Sequence, residues 1–185
     1  MEPSVDELWR HFADIPLQEG FKLMNAPIVL QISLAQFKAH FVDDHAPEFL
    51  SHIQEEMGSV IIEKEEVWQE VPSDAIKAHR VAYDRVPVTK RRKVTVETPL
   101  PNPVLPVVKT DITYLMIEDT DTSLKMKTIS QMTQKMIDFF SVDSIWEVYT
   151  PSPESQQVVV RLSNRQNWTS RPWALTPIIE WYSDY

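Results

Sequence analysis

The sequence predicts an α+β fold, a long antiparallel β-sheet with a few short helices laid over it. Three observations carry that expectation. Extended segments rich in β-branched and aromatic residues dominate the region from Lys93 to Arg161: Val108–Glu118, Ser123–Met132, Ser144–Tyr149 and Gln157–Leu162. Runs of this composition bounded by turn residues are strands. A short helical pattern, Leu34–Val42, directly follows a strand-like run. The connections between the later strands are of hairpin length, with no long crossover, so the pairing is expected to be antiparallel. Such a sheet makes a curved container, suited to holding something apolar.

Along the chain, residues 3–13 form a short helix. Pro3 or Ser4 starts it, acids fill its first turn, and Leu8, Trp9 and Phe12 make one apolar stripe. It either packs on the domain or serves as an arm that docks a partner. We therefore divide the chain into an N-terminal helical arm, 1–23, and a main domain, 24–185. Pro27–Ile32 is strand-like, and Ser33 caps Leu34–Val42, where Leu34, Phe37 and Phe41 share helical spacing. Asp43-Asp44-His45 ends that helix. Pro47 suits the first turn of a second helix running to Met57, with Gly58 at its C′ position. Val60–Glu70, Ile76–Val86 and Arg92–Glu97 are the next strands. The proline-rich 98–107 connection follows, with an apolar tip around Leu100. Asp119–Thr122 is a turn before Leu124–Met132. Thr133–Phe140 is either a helical turn or a bulged crossover. Ile145–Tyr149 and Val158–Leu162 pair across a proline-containing loop, and the aromatic tail ends in a short helix, Leu175–Tyr182.

Composition removes several function classes. With 18 basic and 27 acidic residues the chain carries a net charge of −9, which disfavours a nucleic-acid surface. It has no cysteine, so disulfides, thiol nucleophiles and thiolate zinc sites are excluded. Gly20 and Gly58 are the only glycines, too few for a P-loop or a dinucleotide fingerprint. No apolar run reaches the roughly 20 residues that span a bilayer. The N-terminus has neither the basic nor the apolar region of a secretory signal. An intracellular address is expected, soluble or peripheral to a membrane, the mitochondrion included.

No motif of catalytic specificity stands out. His40, Asp43, Asp44 and His45 are close in sequence, but the spacing suits no shared helical face and no third imidazole follows at ligand distance. No metal or other cofactor is expected. The serines lack a nucleophile-elbow context. The one dense basic run is Lys90-Arg91-Arg92-Lys93. It is a solvated hairpin turn, a patch that meets an acidic partner, or an attachment point for an anionic membrane surface. Three tryptophans, Trp168, Trp173 and Trp181, crowd the tail. Rings in that density either cover the domain or dominate an interface.

Three stretches resemble the VASt domain of the helix-grip (StART-like) superfamily. They are Ser33–Asp44 with Phe49 following, Val67-Trp68 with the basic Arg91-Arg92-Lys93 beyond it, and Ser144–Tyr149. The order strand, two helices, long antiparallel sheet and terminal helix is similar too. Met136–Phe140 stands where the family has a Pro-Tyr-Gly-Asp turn, and the last helix is shorter than the family's. The resemblance implies a non-enzymatic domain that binds a lipid or sterol in an apolar cavity. The cavity is expected to be lined by Phe37, Phe41, Trp68, Tyr83, Tyr114, Met116, Met126, Ile145, Trp146 and Val160. Membrane or partner contact is expected at Lys90, Arg91, Arg92, Lys93, Leu100, Trp168, Trp173 and Trp181. The shortened last helix raises a second expectation: an accessory or scaffold subunit of a large assembly, docked to a protein partner through the N-terminal arm and aromatic tail. An enzyme of the polyketide-cyclase type would need a polar constellation that the sequence does not reveal.

Overall fold

The structure is a computed structural model that describes residues 4, 7, 9, 10, 15–24, 26, 28–71, 88–101, 106–133 and 140–168. Five long strands form a meander: β5 (Lys90–Pro99), β6 (Val107–Asp119), β7 (Ser123–Met132), β8 (Phe140–Tyr149) and β9 (Val158–Trp168). Short strands flank it. β1 (Lys22–Leu23) and β2 (Ile28–Leu30) pair with β9, whereas β3 (Val60–Lys64) and β4 (Gln69–Glu70) pair with β5. Every described pairing is antiparallel. The molecule is broadly α+β, as expected.

One connection departs from the hairpin pattern. β2 and β3 lie on opposite edges, so residues 31–59 must pass from one side of the sheet to the other. They carry both helices, α1 (Leu34–Phe41) and α2 (His52–Glu56). Ser33 caps α1 in a reciprocal box: its Oγ accepts from the Gln36 amide at 3.1 Å, and its own amide donates to Gln36 Oε1 at 2.9 Å. Of the second helix expected from Pro47, only His52–Glu56 is regular, with turns ahead of it. Gly58 ends it with φ +86°, a left-handed conformation that favours glycine.

The strand expected over Val60–Glu70 is interrupted. The irregular stretch 65–68 divides it into β3 and β4, and a register shift between Ile61 and Glu63 interrupts the ladder within β3. β5, β8 and β9 are each longer than their local composition suggested. Ser4 and Glu7 cap one another as a helix start would, with the Ser4 amide donating to Glu7 Oε2 at 2.7 Å. Most of the 3–13 helix, the Ile76–Val86 strand, the interior of Thr133–Phe140 and the tail helix lie outside the described residues.

The two faces of the sheet differ in chemistry. On the inner face, α1 and the following turn bring Leu34, Phe37, Phe49 and Leu50 onto Val94, Ile112, Met126, Val148 and Val160. This is the main core, and its burial of apolar surface is the dominant favourable term in folding. A satellite cluster of Val108, Met132 and Phe140 sits further along, with Leu100, Val142 and Trp168 against it. The outer face carries an ionic ladder. Glu147 pairs with Arg161 at 2.6 Å and Lys125 at 3.2 Å, while Asp143 pairs with Lys127 at 3.1 Å and Arg165 at 2.9 Å. Residues 15–21 strap across it: the Ile15 carbonyl accepts from Arg161 Nη1 at 3.0 Å, and the Arg165 guanidinium lies 4.9 Å from the Phe21 ring centre.

Candidate functional site

Strand alternation decides which side chains can share a site. On β8, Phe140, Val142, Ser144 and Trp146 line one cavity, so that face is the inner one. Register carries the same face onto neighbouring strands: Trp146 opposes Leu162, Ser144 opposes Asn164, and Ser130 opposes Val142. These residues floor a cavity of about 530 Å3 between the sheet and α2. β5 and the start of the next loop add Thr98, Pro99, Leu100 and Pro101, and β6 adds Thr110 and Ile112. Ile53, Gln54 and Met57 close the opposite wall, with Met24 beside β1. None of the described lining residues is Asp, Glu, His, Lys or Arg.

The ten residues expected to line the cavity divide. Trp146 does line it. Phe37, Tyr114, Met116, Met126 and Val160 are buried in the main core instead, where α1 and Phe49 fill the space over the sheet. Phe41 lies 5.1 Å from Phe37, on a shallow hollow along α1 with His40 and Ile32. Trp68 packs on the core, and its indole Nε1 donates to the Val42 carbonyl at 2.7 Å. Ile145 is corrected: it faces the other side of the sheet from Trp146, because adjacent strand residues point to opposite faces. Tyr83 lies outside the described residues.

The basic run is likewise split by strand pleating. Lys90 and Arg92 share one face and Arg91 and Lys93 the other, so the four do not make one patch. Arg92 is corrected as a contact residue, being completely buried. Its guanidinium lies 3.7 Å from the Phe49 ring centre, and its Nε donates to the Glu65 carbonyl at 2.6 Å. Burial lowers its pKa and pushes the Tyr114 hydroxyl far up. Lys90 and Lys93 are exposed, and Arg91 is half-buried beside Glu65. Leu100, expected as a contact, is half-buried in the cavity wall. Trp168 packs on Phe140 at 4.8 Å. Trp173 and Trp181 lie outside the described residues.

Sequence reasoning missed Ile112, Met132, Val142, Leu162, Asn164 and Gln166. A signal for some of them existed. Counting by twos from Trp146 along β8 finds Val142 and Ser144, whereas Asn164 and Gln166 need the inter-strand register. Among the described residues, no group of three or more His, Asp or Glu could hold a metal ion, and no helix is long and apolar enough to cross a membrane. No protein-family model and no curated protein matches this sequence.

Proposed function

We propose that this protein is a helix-grip (StART-like) domain that binds a lipid or sterol, without enzymatic activity, in the cavity between the inner sheet face and α2. The carrying observation is the chemistry of the lining. Its walls combine Ile53, Met57, Leu100, Phe140, Trp146 and Leu162 with a few hydroxyl and amide groups and, among the described residues, no ionisable side chain. A volume of about 530 Å3 falls within the range of small-molecule sites, which are mostly apolar with few polar contacts. Acid–base catalysis needs a titratable group within reach of the reacting atoms, and the described lining supplies none. The order strand, two helices and meander, with the helices carried from edge to edge, favours the helix-grip assignment. Fold alone would not license the function.

The test is a titration with nile red, an uncharged apolar fluorophore. Wild-type protein should give a saturable rise in emission. Val142→Trp, which places a large ring on the cavity floor, should abolish it with the melting transition retained. Equal binding by a folded Val142→Trp protein would place the fluorophore elsewhere and refute the assignment.

A second reading, a docking block within a larger assembly, is favoured by one edge of the sheet. Met57, Val60 and Ile62 are 57, 59 and 50% exposed around β3. Among the described residues β3 pairs on one side only, and exposed apolar side chains on such an edge are a common mark of an interaction surface.

A further inference from the structure

The cavity floor is not uniformly apolar. Ser144 directly opposes Asn164 across β8 and β9, while Ser130 and Gln166 flank Val142 from either side. The four polar side chains thus surround one valine on the inner face, and all four line the cavity. None of them hydrogen-bonds another described residue. The contrast lies at the cavity's other wall, where Ser59 Oγ and Thr98 Oγ1 meet at 2.7 Å and satisfy one another. Ser130, Ser144 and Asn164 are half-buried and Gln166 is exposed, so their polar atoms stay open to bond a ligand that enters the cavity.

A ligand that bonds these four groups inside the cavity must be uncharged. No described lining residue could neutralise a carboxylate or phosphate, and desolvating an ion without a counter-charge is costly. The net charge of −9 adds a further bias against anions. Two hydroxyls and two amides together offer donors and acceptors to several ligand atoms. We infer that the cavity takes an uncharged amphiphile whose head group carries several hydroxyl or carbonyl groups, with the head against Ser130, Ser144, Asn164 and Gln166 and the chain toward Ile53 and Met57. This assignment rests on the lipid-binding reading of the same cavity. A polyol ester of a fatty acid has that chemistry, and a free fatty acid does not.

Isothermal titration with three amphiphiles of equal chain length tests it: monodecanoylglycerol, decanol and decanoate, at a pH where decanoate is ionised. Monodecanoylglycerol should bind the wild-type protein about ten-fold tighter than decanol, as one or two net hydrogen bonds allow, and decanoate weakest. The double variant Ser144→Ala, Asn164→Leu should remove the preference for monodecanoylglycerol over decanol, bringing the ratio of the two affinities from about ten to about one. Should that pair melt early, Ser130→Ala replaces it, with a smaller loss of the same sign. Decanoate binding as tightly as monodecanoylglycerol, or an equal affinity for all three, overturns the inference while the cavity's apolar binding stands. Failure of all three together with nile red overturns both.

Discussion

Arg92 bears most directly on how the inner face is held. A guanidinium in apolar surroundings is tolerated when its donors find acceptors and its plane finds an aromatic ring. Here the Glu65 and Asp43 carbonyls accept from it, at 2.6 and 3.3 Å, and Phe49 stacks beneath it. It thereby ties the turn after α1 and the stretch between β3 and β4 to β5. Replacing Arg92 with alanine should cost about 2–4 kcal/mol in a denaturant melt, from lost charge-assisted bonds and cation–π contact. A solvated residue would show almost no change. Nearby, Asp43 has its pKa raised above the ordinary 3.8, first by burial and then by the charge of Asp119. The native state therefore holds its proton more tightly than the unfolded chain. Stability attributable to this group falls as pH rises from 3.8 through the raised native value, and the penalty persists at neutral pH. Asp43→Asn should raise the melting temperature at about pH 7 and give no gain at about pH 3, where both states are protonated. The residue still reaches solvent, so its desolvation is partial and screening keeps the effect small. A gain at both pH values would assign it to something other than ionisation.

Elements explain which expectations could be made from the chain alone. The start of α1 was legible because a serine followed three residues later by glutamine encodes both halves of a capping box. Ser33→Ala should destabilise by about 1 kcal/mol, within the usual 0.5–2. Chemical denaturation measures this directly, and an unchanged midpoint would mean that packing of Leu34 and Phe37 fixes the helix without its cap. The faces of the strands were less legible. Trp146 and Ile145 are both apolar, so composition could not tell which one points inward, and the pleat allows only one. Lys90–Lys93 looked like a surface patch because four adjacent cations suggest water, yet pleating sends Arg92 under Phe49. The outer face also holds its own charged ladder, where Glu147 and Asp143 match Arg161, Lys125, Lys127 and Arg165.

At the scale of the whole molecule, the antiparallel sheet followed from strand composition and short connections. The passage of residues 31–59 from one sheet edge to the other did not, because nothing local records which edge a short strand joins. That crossing also decides the candidate site. By laying α1 and Phe49 over one end of the inner face, it turns Tyr114, Met116 and Met126 into core and leaves the cavity beside α2. The apolar residues were identifiable in sequence, but their division between core and cavity is a long-range property. Native mass spectrometry of the purified protein is the most direct test that this cavity binds a ligand. The account predicts one uncharged lipid bound per chain in the wild type and none in folded Val142→Trp. The bare chain mass alone from wild-type protein with an intact melting transition and no uptake of added lipid would contradict it.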